Sequence, residues 1–300
     1  MAEIKNVLLI GASGNIGSHI LTGLLSSPFT VTVLTRPDST SDFPEAVKVV
    51  RSDYTLEALT PLFKGQDAVV SAVGHVGFES QFTFIDAAVA AGVKRFIPSE
   101  FGSDTTNKGL QQLLAPANGA TAKLEAVEYL KSKEKDGLSW TSVISGPFLD
   151  LCLNFGFFEI FPSTRKATLW NGGRQRFIVT SRPTIGIAVA RILQQPELTK
   201  NIYVFIKSFT TSQQELISVA EKVSGEKYVI EEVNGEAKIK EAEASLTEGA
   251  GFAAAYPLIK AGFLVKSYGD YEAEGRELWN EKLGLPNEDL EESVAQALGI

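Results

Sequence analysis

Apolar positions in the first half of the chain come in short unbroken runs, separated by stretches with helical spacing. Val7-Leu8-Leu9-Ile10 is the first run, and Ile16, Ile20, Leu21, Leu24 and Leu25 follow it at steps of three and four. A run apolar at every position fits a strand buried on both faces, whereas the wider spacing fits a helix with one buried stripe. The alternation repeats. Strands are predicted at Thr30-Val31-Thr32-Val33-Leu34, Val47-Lys48-Val49-Val50, Asp67-Ala68-Val69-Val70-Ser71-Ala72, Lys94-Arg95-Phe96-Ile97 (stopped by Pro98) and Trp140-Thr141-Ser142-Val143-Ile144. Between them, Leu56, Leu59, Leu62 and Phe63 mark one helix face, and Phe82, Ile85, Ala88 and Val89 mark another over about 79–91. A loop at 102–118 precedes a long helix at about 120–135. This order predicts an α/β fold: a doubly wound parallel sheet with right-handed crossovers. Ligands of such sheets bind beyond the carboxyl ends of the strands. The segments after Ile10, Leu34, Val50, Ala72 and Ile97 are therefore expected to line one crevice.

Past Gly146-Pro147 the pattern changes. Phe148, Phe155, Phe157, Phe158, Phe161 and Trp170 crowd together with Gly172 and Gly173, and helical spacing then dominates at 184–193, 212–223, 237–248 and the C-terminal stretch. The expected division is a cofactor-binding domain at 1–146 and a smaller, mainly helical substrate-binding domain at 147–300 closing over the crevice. The segment at 201–206 is a candidate strand returning to the first sheet.

The glycine series Gly11-Ala12-Ser13-Gly14-Asn15-Ile16-Gly17 falls between the first strand and the first helix. A turn there needs residues without side chains, so that the backbone can approach a pyrophosphate while the free amides of the helix N-terminus attract its charge. In this context the series reads as the dinucleotide fingerprint of a Rossmann-type fold. Arg36 follows the second strand, where an acidic residue would bind the ribose hydroxyls of NAD and an arginine accommodates the 2′-phosphate of NADP. NADP(H) is the expected cofactor; a solvated surface arginine is the alternative reading of Arg36. Asp53, past the third strand, and Ala72, Val73 and Gly74, past the fourth, are further cofactor-side candidates.

Composition narrows the class. The chain has 300 residues, 44% hydrophobic, and a formal net charge of −8, so it carries no basic footprint for nucleic acid. Cys152 is the single cysteine, which rules out an intramolecular disulfide framework and a thiolate metal cluster; its apolar neighbours suggest a packing role. His19 and His75 are not spaced as metal ligands, and His19 falls on the first helix as a structural residue. The longest apolar stretch, about 148–161, is too short for a bilayer and is interrupted by Asp150, Asn154 and Glu159. No signal peptide is visible, so the expectation is a cytoplasmic protein, a monomer or homodimer, with a small-molecule substrate and no membrane or nucleic-acid partner.

Chemistry at such a crevice needs a residue that can move a proton. Tyr129-Leu130-Lys131-Ser132-Lys133 matches the Tyr-x-x-x-Lys spacing of short-chain dehydrogenases but lies at the wrong end of its helix, where it reads as a solvated helix terminus. Lys123 begins the same helix at the end facing the crevice, with Gly119 four residues before it where the tyrosine would be. A lysine so placed can bond a ribose and exchange a proton, because burial shifts its pKa toward neutrality; an exposed helix lysine is the alternative.

Ser71-Ala72-Val73-Gly74-His75-Val76, Gln81 and the run Val93-Lys94-Arg95-Phe96-Ile97-Pro98-Ser99-Glu100-Phe101-Gly102 closely resemble the isoflavone reductase family of NmrA-like, atypical short-chain dehydrogenases. That resemblance covers nearly the whole chain and weakens after about Phe148. It implies an NADPH-dependent reductase of aromatic or conjugated substrates, often acting through a quinone-methide intermediate. Gly11 to Gly17 would hold the pyrophosphate, Arg36 the 2′-phosphate, and Lys123 the nicotinamide ribose while serving as general acid/base. Ser99, Glu100 and Phe101 would lie near the nicotinamide, with Phe148 against its ring. His75 and Val76, on the loop after the fourth strand, with Phe101 and Leu149 would be substrate-side residues; a surface loop is the alternative for His75. The pocket is expected to be apolar, built from Phe101, Phe148, Leu149, Phe155 and their neighbours, with the core of the second domain as the alternative place for those aromatics. Leu124-Glu125-Ala126 and Ser145-Gly146-Pro147-Phe148 depart from the plant pattern and look more like fungal members, so substrate identity does not transfer. NmrA-like regulators that bind NAD(P) without turnover are the rival class.

Overall fold

The computed structural model describes residues 3–117, 122–246 and 251–300. Its strands are β1 (Asn6–Ile10), β2 (Thr30–Thr35), β3 (Lys48–Arg51), β4 (Ala68–Ser71), β5 (Arg95–Ile97), β6 (Ser139–Ile144), β7 (Ile160–Phe161), β8 (Lys166–Trp170), β9 (Phe177–Val179), β10 (Ile202–Phe205), β11 (Phe209–Thr211) and β12 (Val229–Val233). Seven of them make one parallel sheet in the order β10-β6-β5-β4-β1-β2-β3. The order reverses at β1, which pairs through Val7 with Val31 of β2 on one side and Ala68 of β4 on the other. The ends of β1 and β4 therefore part around a crevice, the place where such sheets bind ligands. The returning strand lies beside β6, with Ile202 opposite Thr141.

Helices α1 (Gly17–Leu25), α2 (Leu56–Phe63), α3 (Ser80–Ala91), α4 (Lys108–Leu114), α5 (Ala122–Ser132), α6 (Leu149–Asn154), α7 (Arg182–Gln194), α8 (Gln213–Ser224), α9 (Gly235–Ser245), α10 (Gly251–Leu264), α11 (Asn280–Leu283) and α12 (Leu290–Leu298) complete the chain. Alternate residues of β1 face opposite layers. Val7 and Leu9 join Ile20 and Leu24 of α1 and Ile185, Val189 and Ile192 of α7. Leu8 and Ile10 join Leu59 and Phe63 of α2, Phe84 and Ile85 of α3 and Val127 and Leu130 of α5. Each such fully buried side chain contributes roughly 1.5–3 kcal/mol of transfer free energy, which is why β1 tolerates no polar position past its first residue. Side chains of Thr55, Asn107, Ser181, Ser212, Asn234 and Asp289 accept the first free amides of α2, α4, α7, α8, α9 and α12.

α1 and α7 lie in van der Waals contact through their backbones. A Cβ on Gly23 would come within 2.3 Å of the Gly186 carbonyl oxygen, and one on Gly186 within 2.1 Å of the His19 carbonyl oxygen. α7 thus begins at the same crevice as α1, although it comes from the second half of the chain. Arg95, wholly buried at the start of β5, holds the opposite edge. Its guanidinium donates to the Ser139, Thr141 and Thr199 hydroxyls and to the Pro196 carbonyl, with burial lowering its pKa to about 10.

From α6 onward a second core gathers Leu149, Leu153, Phe157, Phe158, Trp170, Phe177, Leu216, Leu258 and Phe263. Two small sheets, β12-β8-β7 and β11-β9, sit here among the expected helices. Their strands run two to five residues, too short for a period of two to register. α4 likewise lies inside the expected loop at 102–118. Gly119, the expected start of the following helix at residue 120 and the last two residues of the 237–248 helix lie outside the described residues. Among the described residues no helix is long and apolar enough to cross a membrane.

Candidate functional site

The glycine turn leaves β1 at Ile10 and enters α1 at Gly17. Gly11 has φ +81°, and a Cβ there would lie 2.5 Å from the Ala72 carbonyl oxygen past β4. Both conditions demand glycine. The Gly14 amide closes the turn on the Gly11 carbonyl at 3.0 Å, leaving Ser13, Gly14 and Asn15 exposed toward the crevice. Ala12 and Ile16 point their side chains into the core, so only their backbone faces outward. The Ser13 and Asn15 amides meet no backbone carbonyl among the described residues. A turn with free amides, at the N-terminus of one helix and beside the N-terminus of another, fits a pyrophosphate.

Arg182, the first residue of α7, donates to the Asn15 carbonyl at 3.3 Å and pairs with Asp150 of α6 at 2.7 Å. The turn is thereby tied to the chain beyond β6. Sequence reasoning missed Arg182, which carries no local motif. His19 lies beneath this pair, and burial, reinforced by Arg182, lowers its pKa. Arg36 extends from the end of β2, exposed, with Asp38 at 3.9 Å. Asp53 is also exposed and accepts the Thr55 amide and hydroxyl, at 3.1 and 2.9 Å, which hold its carboxyl below the usual range.

Past β4, Ala72 is buried and Val73 half-buried, while Gly74, His75 and Val76 are exposed on a short turn. The Ser99 hydroxyl donates to the Val73 carbonyl and the Ser99 amide to Oε1 of buried Gln81, both at 2.7 Å. These bonds stitch the segments after β4 and β5 together. The chain then turns sharply: the Glu100 amide bonds the Pro98 carbonyl at 2.8 Å, and Phe101 adopts φ +28°.

This turn presents the Glu100 carbonyl to Lys123. Nζ of Lys123 donates to that oxygen and lies 5.2 Å from the centre of the Phe78 ring. Burial pushes the Lys123 pKa down, partly opposed by the charge of Glu100. Burial pushes the Glu100 carboxyl up, opposed by Lys123 and by the Thr105 hydroxyl that donates to its Oε2 at 2.7 Å. Two residues on from Gly102, Asp104 is wholly buried and pairs with Arg276 at 2.6 Å, which anchors the loop.

Lys123 opens into a cavity of about 320 Å³. Phe101, Gly102, Pro147 and Phe148 form its crevice side; Leu110 and Leu114 of α4, Cys152 of α6 and Tyr256, Ile259 and Phe263 of α10 lie in its wall, with Ser103, Thr105 and Gln111 among its polar positions. Of the four expected substrate-side residues, Phe101 lines it. Leu149 is buried in the second core behind it, and His75 and Val76 are exposed elsewhere on the crevice rim. Phe155, expected in the pocket wall, is 73% exposed. Cys152 is part of the wall as well as of the packing, with burial pushing its thiol up to about 12. The α4 and α10 contributions had no signal in the sequence beyond apolar spacing. At the far end of α5, the Tyr129 hydroxyl and the Lys133 ammonium both meet Asp86 of α3, at 2.7 and 3.1 Å, and take no part in the site.

A sheet that reverses at β1, with a glycine turn at that reversal, defines a Rossmann-type protein. Comparison with known proteins places it further. The profile of the NmrA-like family matches residues 3–283, and the chain belongs to that family. It is 39% identical to Oxidoreductase aprR of Aspergillus flavus over 300 residues, covering 97% of this chain and 98% of that one. It is 29% identical to phenylcoumaran benzylic ether reductase Betv6 of Betula pendula, covering 75% and 76% of the two chains. Among solved structures, an isoflavone reductase superposes with TM-score 0.77 at 22% identity over 98% of this chain and 99% of its own. The complex of leucoanthocyanidin reductase from Vitis vinifera with NADPH superposes with TM-score 0.78 at 19% identity over 98% and 100%. At those identities the structural likeness concerns the fold.

Proposed function

We propose that the chain is an NADPH-dependent reductase that passes hydride to an aromatic or conjugated small molecule, with Lys123 as general acid/base. The observation that carries this reading is the Lys123 ammonium, the one charged group among the described residues in the wall of a mainly apolar, aromatic-lined cavity beside the strand ends, where Ser103, Thr105, Gln111 and Tyr256 add uncharged polar groups. Such pockets bind by apolar contact and orient by few polar groups. The names of the relatives support it: an oxidoreductase, a benzylic ether reductase and a reductase held with NADPH.

NADPH supplies the hydride when bound. The protein's own residues do the rest. Ser13 to Asn15 offer amides to the pyrophosphate, Arg36 offers its charge to the 2′-phosphate, and Phe148 offers a ring face at the cavity mouth. Nζ of Lys123, steered by the Glu100 carbonyl and with its pKa lowered by burial, passes or takes the proton that balances hydride transfer. Phe101, Phe157 and Phe263 exclude water from a reactive conjugated intermediate. In this reading residues 1–146 bind the cofactor and 147–300 shape the substrate, with α7 and β10 lent back to the sheet.

NADPH oxidation, followed by absorbance against quinones, enones, isoflavones and lignan-type ethers, tests this. Lys123→Ala is expected to lose about 10²–10⁴ in kcat while NADPH binding persists. Tight NADPH binding by wild type with no turnover of any of these substrates would favour a non-catalytic regulator instead.

A further inference from the structure

Arg51 ends β3, directly beside the end of β2, where Thr35 is its register partner and Arg36 is the next residue. Its guanidinium reaches across the strand ends. Nη1 donates to the Arg36 carbonyl at 3.3 Å and to the Ser39 carbonyl at 2.8 Å, while the Ser39 amide bonds the Arg36 carbonyl at 3.2 Å. One nitrogen thus clasps the turn at 36–39. Nε and Nη2 have no partner among the described residues, and the side chain is exposed at the crevice end of the sheet.

Charge makes this second arginine consequential. The Arg36 guanidinium has the Asp38 carboxylate 3.9 Å away. Those two groups alone sum to zero at the spot where a 2′-phosphate must be told from a ribose hydroxyl, and an acidic group there favours the hydroxyl. Arg51 adds a positive charge beside that pair, while the Asp53 carboxylate, two residues on, is taken up by the Thr55 amide and hydroxyl. Arg51 also supplies the planar fork that suits a phosphate, on a strand end rather than a loose loop.

Resting on the NADPH reading above, we propose that Arg51 is a specificity-determining residue: with Arg36 it forms a two-arginine clamp for the 2′-phosphate, and it sets the preference for NADPH over NADH. Its clasp on the Arg36 and Ser39 carbonyls fixes the turn and leaves Nε and Nη2 without a partner among the described residues, and in the proposed clamp these and the Arg36 guanidinium would bind one anion.

Calorimetric titration with 2′,5′-ADP and with 5′-AMP tests this without any substrate. Wild type is expected to prefer 2′,5′-ADP. Arg51→Ala is expected to weaken 2′,5′-ADP binding about tenfold to a hundredfold, the worth of one charge-assisted hydrogen bond to a phosphate, and to leave 5′-AMP within about twofold. Arg51→Lys, which keeps the charge and loses the fork, is expected to fall between them with an unchanged unfolding midpoint. Equal weakening of both ligands would mean that Arg51 only props the turn, and no weakening would remove it from the site; either result overturns the proposal. A wild-type protein that binds 5′-AMP as well as 2′,5′-ADP would sink the NADPH reading itself, and the clamp with it.

Discussion

Lys123 and Glu100 are ionisable groups whose burial opposes their charge, and the opposition has a sign that can be measured. Burial raises the folded-state pKa of Glu100 above its ordinary value near 4.5. The folded protein then binds that proton more tightly than the unfolded chain. Its contribution to stability is complete below about 4.5 and is lost as pH rises through the folded pKa. Lys123, whose pKa burial lowers, works in a higher window and the other way: stability rises with pH between its folded pKa and the ordinary 10.5. Glu100→Gln retains an acceptor for the Thr105 hydroxyl and has no proton to lose. Unfolding free energies measured from pH 4.5 upward should therefore decline in wild type relative to the variant. Parallel curves would show that Glu100 titrates as an ordinary carboxyl. The position of Lys123 at the start of a helix was legible in the sequence. The acceptor of its ammonium was not, because the Glu100 carbonyl reaches Nζ only through the sharp turn after Pro98.

At the scale of elements, the parallel sheet was legible because strands buried on both faces are apolar throughout, as in Val7 to Ile10. The pairing of α1 with α7 was not legible. It rests on Gly23 and Gly186, whose spacing in the chain carries no information about their contact. Gly186→Ala is expected to destabilise by about 1–3 kcal/mol through the 2.1 Å approach of its Cβ to the His19 carbonyl oxygen. In an open helix the same change would stabilise by roughly 0.8–1 kcal/mol. The sign of the shift in a denaturant titration thus reports directly on whether these helices touch. The small strands β7 to β9, β11 and β12 were missed for a different reason: they are held by the second core and by each other, with little pattern of their own.

Across the whole molecule, the glycine turn is bound both to the sheet and, through Arg182 and Asp150, to α6 and α7. Ligand at the turn should therefore stabilise the chain as a unit. At 100 times its dissociation constant NADPH is expected to add about 2.7 kcal/mol to the unfolding free energy, and the melting midpoint should climb with the logarithm of its concentration. A midpoint that moves with NADH and ignores NADPH would reverse the cofactor assignment.

The sequence by itself determined the sheet, the layers around it and the glycine turn at the point where the sheet reverses. These depend on periodicities of two to four residues and on glycines adjacent in the chain, so local pattern and backbone sterics suffice. Only the tertiary structure decided the cavity wall, the acceptor of Lys123, the Arg182 tie and the Arg51 clasp. Each joins groups from different elements: α4 and α10 around one cavity, α7 against the glycine turn, β3 against the turn after β2. Such contacts are chosen by packing and by the need to satisfy polar groups once the core has closed, and no spacing along the chain encodes them.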